Sequence, residues 1–404
     1  MTDIADRLDE LRLRGLDRRL RLVSGPQGPR VLLDGRPVLL LCSNNYLGLA
    51  DHPKVREAAS EAALRWGVGA GASRLISGNM KAHRRLERGL AEFKRYESAL
   101  LYGSGYLANT GVIGALTRRG EVVFSDELNH ASIIDGCRLS RAEVFVYRHR
   151  DLEHLAWGLQ QAGRRASLIV TDGVFSMDGD VAPVAELVDL ARHRDCRLMV
   201  DEAHATGALG PGGRGSVAAA GAEDEVDVIV GTLGKALGCY GAYVCASSEI
   251  VEYLVNASRP FIFSTAPPPP VVAAAGAALA ILEEEPQRVD RLRANATALR
   301  DALDAEGVEA GGGDAQIVPV TVGSAHRTMD LCEALLERGV FAQGIRPPTV
   351  PDGSSRLRLT VMATHQGAEL RRAAGVLADS ARELGIAAGQ ASPIGDWAEL
   401  PEAA

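Results

Sequence analysis

Three short stretches of this 404-residue chain place reactive side chains where an α/β protein could use them. In DVIVGTLGKALG, Lys235 lies in a glycine-flanked segment just past an apolar run, so the backbone can approach a ligand closely. A lysine held among apolar and glycine residues has a lowered pKa and is a competent Schiff-base nucleophile. In RLMVDEAHATG, an apolar run delivers Asp201 and His204 to its C-terminal end. In LLYGSGYLANTGVIGAL, a strand-like run passes through a glycine turn into an apolar helix. The start of such a helix offers free N–H groups and a positive dipole end to a phosphate. Together the three fit one cofactor, pyridoxal 5'-phosphate. The lysine meets its aldehyde, the carboxylate keeps its pyridine nitrogen protonated, and the helix start holds its phosphate. Singly, each has a plainer reading: a surface lysine, a helix-capping aspartate, an ordinary turn at Gly103 and Gly105. Their appearance in this order carries the argument.

Other matches fail on inspection. Asp201-Glu202-Ala203-His204 spells a helicase-like DEAH, but that chemistry needs a phosphate loop. The Gly-Lys pair at 234–235 has Ile229 where the first glycine belongs and Ala236 where Ser or Thr should stand. GPGGRG at 210–215 fits G-x-G-x-x-G, yet it lies beyond the strand end and carries a proline, so a plain loop is expected. The six cysteines, at 42, 137, 196, 239, 245 and 332, show no C-x-x-C spacing, and no metal site is expected.

The elements that must position these residues are legible as alternation. EVVFSDE, AEVFVY, SLIVTDGVFS, RLMVDEAHATG, DVIVGTLGKALG and GAYVCAS are short apolar runs separated by helix-length segments. That pattern predicts a mainly parallel sheet covered on both faces, with ligands at the C-terminal strand ends. Asp34-Gly35 between two apolar runs predicts a hairpin. Leu86, Leu90 and Phe93 mark the buried face of a helix over 83–95. An Arg-rich helix is expected up to about residue 25. After STAPPPP, an Ala-rich stretch and a long charged helix lead to a second domain, where IVPVTVG, FAQGIRP and SRLRLTVMATH read as strands. Alternation in SRLRLTV sets Arg356 and Arg358 on one face, opposite Leu357 and Leu359. The expected division is an N-terminal helix and hairpin segment over 1–42, a large domain over 43–282, a small α/β domain over 283–387 and a tail over 388–404.

Composition narrows the class. The chain is 46% hydrophobic and 24% charged with a net charge of -8, so it lacks the basic excess that nucleic-acid binding needs. Aromatic content of 4% also speaks against base-stacking platforms. No apolar run approaches the ~18 residues of a membrane span, and the charged N-terminus is unlike a signal peptide, so a cytoplasmic location is expected.

The longer stretches WGVGAGASRLISGN, ELNHASIIDGCRLSRA, TDGVFSMDGDVAP, VDEAHATGALGPGGRGS, GTLGKALGCYGAYV and GIRPPTVPDGSSRLRLTVMATH closely resemble the α-oxoamine synthases. These are fold-type-I pyridoxal-phosphate enzymes that join an amino acid to an acyl thioester with loss of CO2. The resemblance runs from about residue 15 to about 385. It implies a large domain with a mainly parallel central sheet, a smaller C-terminal α/β domain, and a homodimer with shared active sites. FSTAPPPP and IRPPTVP look like the biotin-pathway branch, which condenses L-alanine with pimeloyl-CoA or a pimeloyl carrier protein. The branch using glycine and acetyl-CoA is the nearest alternative, the serine palmitoyltransferase and 5-aminolevulinate synthase branches are more distant ones, and a non-catalytic partner subunit is a rival of another class.

By the same resemblance, Lys235 would carry the cofactor as a Schiff base. Asp201 would pair with the pyridine nitrogen, His204 with the phenolic oxygen, and His130 would stack on the ring and orient the acyl carbonyl. Ser176 would lie beside the ring. Thr232, with the backbone of Gly105 and Tyr106, would hold the phosphate, which Ser264 and Thr265 would reach from the neighbouring subunit. Arg358 matches the residue that grips the amino-acid carboxylate, with Asn44 assisting. Thr349 and an N-terminal arginine would contact substrate; Arg18 is the best match, with Arg19 and Arg21 as alternatives.

Overall fold

A computed structural model of the protein describes residues 3–313 and 315–389. The chain forms two compact units. The larger takes Asn44–Ser176 and Asp180–Asp290; the other takes the described residues up to Ser43, Met177–Gly179, and those from Arg291 onward.

The N-terminal helix spans only Ile4–Leu13 and does not continue to residue 25. Gly15 stops it. With φ at +63°, Gly15 donates its N–H to Arg12 O while Leu16 donates to Leu11 O, closing the helix with a left-handed cap. The chain then forms β1 (Val23–Ser24), β2 (Arg30–Leu33) and β3 (Arg36–Leu40). The expected hairpin is present: β2 and β3 are antiparallel around Asp34 and Gly35, both at positive φ. Val31, Leu33, Val38 and Leu40 pack with Met362 into a small core of this unit.

In the larger unit, seven strands form one sheet: β4 (Ser98–Tyr102), β5 (Val122–Asp126), β6 (Glu143–Tyr147), β7 (Ala166–Asp172), β8 (Arg197–Asp201), β9 (Val228–Thr232) and β10 (Ala242–Ala246). Their order is β4-β10-β9-β8-β7-β5-β6. All neighbours are parallel except β10, which runs antiparallel to β4 and β9. Every residue of β5 and β10 is buried, as expected for apolar strands covered on both faces. Coverage lapses at the edge, where β6 leaves Val144 and Val146 exposed. The helix Gly105–Leu116 packs Val112 and Ile113 against Leu100, Val123, Val230 and Val244 of the sheet. The helix Lys81–Lys94 buries Leu86, Leu90 and Phe93, as their spacing predicts.

Lys94 ends that helix with its side chain 1% exposed, facing the fully buried Glu202 at 3.5 Å. Burial pulls the Lys94 amine below its ordinary pKa, and Glu202 opposes that pull. Thr206 Oγ1 at 2.8 Å and Arg214 O also accept from Lys94. Glu202 in turn accepts from the Ser216 hydroxyl and from the Ser216 and Val217 amides. A Cβ at Gly215 would lie 1.5 Å from the Glu202 carboxylate, so only glycine fits there. This cluster folds the GPGGRG loop down behind the DEAH turn.

The other unit is completed by β11 (Ile317–Gly323), β12 (Val340–Phe341), β13 (Gln343–Ile345) and β14 (Ser355–Thr360). β14 lies between β11 and β13, antiparallel to both, and β12 pairs in parallel with β3. That pairing explains why the N-terminal hairpin belongs with the C-terminal part instead of standing as a separate segment. The unit boundary also differs from residue 282: Pro286 separates the helices Pro269–Glu284 and Gln287–Ala305, and the division falls at 290/291, inside the second. The expected tail, after its first two residues, lies outside the described residues.

The Lys94–Glu202 pair yields a stability prediction. Lys94→Ala strands a buried carboxylate and is expected to cost about 3–5 kcal/mol. Denaturant unfolding of the variant checks this; a loss below ~1 kcal/mol would contradict the buried pairing.

Candidate active site

The sheet ends deliver the reactive groups. β7 and β8 place Asp172 and Asp201 side by side in register at their last residues, and β9 ends at Thr232, three residues before Lys235. Lys235 is half-buried, with Leu233, Ala236 and Leu237 buried around it. Its Nζ lies 2.8 Å from His204 Nε2. His204 is buried, and its other nitrogen lies 2.7 Å from the Tyr46 hydroxyl, which donates to Asn44 Oδ1 at 3.0 Å. The sequence-predicted Lys235, His204 and Asn44 therefore belong to one hydrogen-bonded chain, with Tyr46 as a link the sequence did not announce.

A second chain runs from Asp201 to His130. Asp201 accepts from Asn109 Nδ2 at 2.7 Å and from the Ala203 amide at 2.8 Å, so both carboxylate oxygens are held. The other Asn109 N–H reaches Ser132 Oγ at 2.8 Å, and Ser132 Oγ lies 2.7 Å from His130 Nδ1. The His130 amide donates to Asp172 Oδ2 at 2.8 Å. Burial, and then the adjacent Asp201 charge, push the Asp172 carboxyl well above the usual range. Two neighbouring carboxyls in one buried site cannot both ionise cheaply. Desolvation holds the His130 ring below its ordinary value, against the pull of Asp201.

The helix start expected to face a phosphate is present. Ser104 caps Gly105–Leu116 by accepting from the Leu107 amide at 3.2 Å, and the Ala108 amide bonds Ser104 O. The first N–H groups, of Gly105 and Tyr106, lie outside the helix ladder. A Cβ built on Gly105 meets nothing within 4 Å, so the approach is open. An amine beside an imidazole, a carboxylate fixed at both oxygens and an open helix start are the donor set pyridoxal 5'-phosphate requires. The residues fit that group.

The remaining predicted residues are carried by other elements. Ser176 is half-buried on the stretch after β7. Thr265 bridges Ser73, the Ala266 amide bonds Ala72 O, and Ser264 precedes them. In the other unit Arg358 is buried on β14, opposite Pro319 and Gln343. Arg18, Arg19, Arg21 and Thr349 line a cavity of about 580 Å³ in that same unit. Arg21 is engaged by Asp34 at 3.4 Å and by Glu333, which leaves Arg18 and Arg19 as the exposed candidates. Asn109, Ser132, Asp172 and Tyr46 were missed. Asp172 alone carried a readable signal, since SLIVTD repeats the strand-then-aspartate pattern of RLMVD.

Comparison with known proteins gives a consistent picture. The profile of the family described as aminotransferase class I and II matches residues 36–377. The chain is 53% identical to 8-amino-7-oxononanoate synthase of Citrifermentans bemidjiense over 389 residues, 96% of this chain and 100% of that protein. It is 54% identical to the enzyme of the same name from Geobacter sulfurreducens, across 95% of this chain and 99% of the other. Among solved structures, a serine palmitoyltransferase variant from S. paucimobilis with bound PLP–myriocin aldimine superposes with a TM-score of 0.90 at 33% identity. That match covers 95% of this chain and 97% of the other. 8-Amino-7-oxononanoate synthase from Francisella tularensis gives 0.75 at 28% identity, covering 86% and 98%.

Asn109→Ala removes both donors that join Asp201 to Ser132. The variant is expected to lose about 1–3 kcal/mol of stability and to bind pyridoxal phosphate more weakly. Unfolding curves and a cofactor titration check this, and unchanged cofactor affinity would contradict the link.

Proposed function

The chain belongs to the aminotransferase class I and II family, in its α-oxoamine synthase branch, and from that premise we propose that it condenses L-alanine with a pimeloyl thioester, releasing the thiol and CO2. The observation that carries this reading is the 53% identity to an 8-amino-7-oxononanoate synthase along that protein's whole length. The higher TM-score with serine palmitoyltransferase favours a sister activity, but that likeness comes with only 33% identity. Sequence identity reports the substrate-facing residues more directly than backbone superposition does.

Pyridoxal 5'-phosphate, when bound, supplies an electron sink that lets the amino acid's Cα carry negative charge. Lys235 would hold its aldehyde, Asp201 its ring nitrogen and His204 its phenolic oxygen. The Gly105 and Tyr106 amides and the Thr232 hydroxyl would hold its phosphate, with Ser264 and Thr265 of a second copy. With L-alanine bound, the Lys235 amine would take the Cα proton and return one after CO2 has left. His204 steadies that amine across 2.8 Å. His130, fixed through Ser132, would stack on the ring and orient the acyl carbonyl, and Ser176 would lie beside the ring. Arg358 grips the amino-acid carboxylate with its guanidinium fork, assisted by Asn44, and Thr349 and Arg18 contact the acyl donor.

A cytoplasmic homodimer is part of the same reading. Among the described residues no helix is long and apolar enough to cross a membrane. The larger unit holds Val68, Ile76 and Phe263 out in solvent at 79%, 81% and 72% exposure. The Ser73–Thr265 bridge ties the segments bearing Ile76 and Phe263 together. Apolar side chains held on ordered backbone in this way mark a surface that a partner covers.

Two outcomes are expected. Lys235→Ala should stay folded and lose all steady-state thiol release from L-alanine plus pimeloyl-CoA; appreciable turnover would remove Lys235 from its role. Ile76→Asp with Phe263→Asp should convert a dimer to a monomer in analytical ultracentrifugation and abolish activity. A wild-type monomer with full activity would overturn the dimer.

A further inference from the structure

His149 lies just past β6, between two carboxylates. Its Nδ1 is 2.9 Å from Asp126 Oδ1 and its Nε2 is 2.6 Å from Asp180 Oδ2. A neutral imidazole has one N–H, so one of these contacts would then set lone pair against lone pair. Both are satisfied only by the imidazolium. Burial pulls the ring's pKa down, but the two carboxylates overcome that and raise it to about 9. The ring also meets Phe175 edge-on, with centroids 4.4 Å apart.

What His149 joins gives it a role. Asp126 Oδ1 also accepts from the Leu128 amide at 2.9 Å, and Asp126 O accepts from the Asn129 amide at 3.2 Å. Asp126 thereby shapes the turn that leads into His130. Asn129 Oδ1 accepts from the Asp172 amide at 2.8 Å, which ties the turn to β7. On the other side, Asp180 O accepts from the Phe175 amide at 3.0 Å, and Val174 bridges Val181. These contacts close the stretch that carries Ser176. We propose that His149 is a positioning residue for the condensation: as a standing cation it bolts the His130 turn to the Ser176 stretch. The proposal rests on the functional reading above.

Other charges around it do not replace it. Arg150 reaches Asp180 Oδ2 at 3.4 Å from a half-exposed side chain. Glu127 accepts from the His149 amide at 2.6 Å. Next to Asp126, the buried Tyr147 hydroxyl and the Asp172 carboxyl are both pushed well above their ordinary values, first by burial. Because the folded pKa lies above the unfolded 6.5, the clamp is at full strength below about 6.5 and is lost as pH rises through about 9.

The test uses the cofactor-loaded enzyme with ¹⁵N-labelled histidine. Long-range ¹H–¹⁵N spectra should show both His149 nitrogens protonated at neutral pH, titrating near 9. The alkaline limb of kcat and the visible circular dichroism of the bound cofactor should share that midpoint. Asp180→Asn should move all three lower by about one pH unit. His149→Gln should lower kcat about tenfold or more with a smaller change in KM for alanine, and should lack the limb. A neutral His149 at pH 7 would overturn the proposal. So would an Asp180→Asn spectrum that shifts while the dichroism and kcat profiles stay put, or a kcat in His149→Gln within about twofold of wild type. If the wild type condenses nothing, the functional reading fails, and the spectra and dichroism still decide the clamp.

Discussion

Three parallel strands, β5, β7 and β8, each end in a buried aspartate, and the site depends on how those charges are kept apart. Unpaired carboxylates in a covered sheet end would be prohibitive, since each charge taken out of water costs several kcal/mol. The protein resolves the three differently. Asp126 is matched by the His149 cation, Asp172 is pushed well above the usual carboxyl range and accepts from the His130 amide, and Asp201 is held by Asn109 and Ala203. Only Asp201 thus presents a carboxylate with no cation against it in these contacts. That is the position a protonated pyridine nitrogen requires.

The order of the chain makes this arrangement cheap to build. Right-handed crossovers place successive parallel strand ends on one edge, so reactive residues distant in sequence meet without long loops. Behind that edge, the Lys94–Glu202 pair and the loop it folds hold the DEAH turn, so His204 stays aimed at Lys235. The buried ion pair is a poor source of stability compared with an apolar pair of similar volume, and its use here is to fix one conformation of that turn.

Much of this was legible because it follows from periodicity or from single-residue chemistry. The parallel sheet, the hairpin at Asp34-Gly35 and the buried face of Lys81–Lys94 follow from local pattern, whereas Lys235 and His204 were joined through the cofactor they would share. The N-terminal helix was overextended because arginine favours helix, and its periodicity gives no warning that Gly15 will cap it. The long-range links were not legible. Asn109 is one polar residue in an apolar helix, and nothing local says that it bridges Asp201 and Ser132. His149 stands between two arginines and reads as one of several charges on a turn. Only register and packing show that it faces one carboxylate from the end of β5 and another from the loop after β7. The parallel pairing of β12 with β3, which groups the N-terminal hairpin with the C-terminal residues, spans some 300 positions of chain that no window could see.

The central claim is that the Lys235 amine, held beside His204 at the end of β9, is the covalent seat of the cofactor. Borohydride reduction of the pyridoxal-phosphate-loaded protein, followed by peptide mapping, tests it directly. A single pyridoxyl group on the GTLGKALG peptide at Lys235, with loss of the visible cofactor band, is the expected result. A pyridoxyl group on another lysine, or a protein that takes up no reducible cofactor, would contradict it.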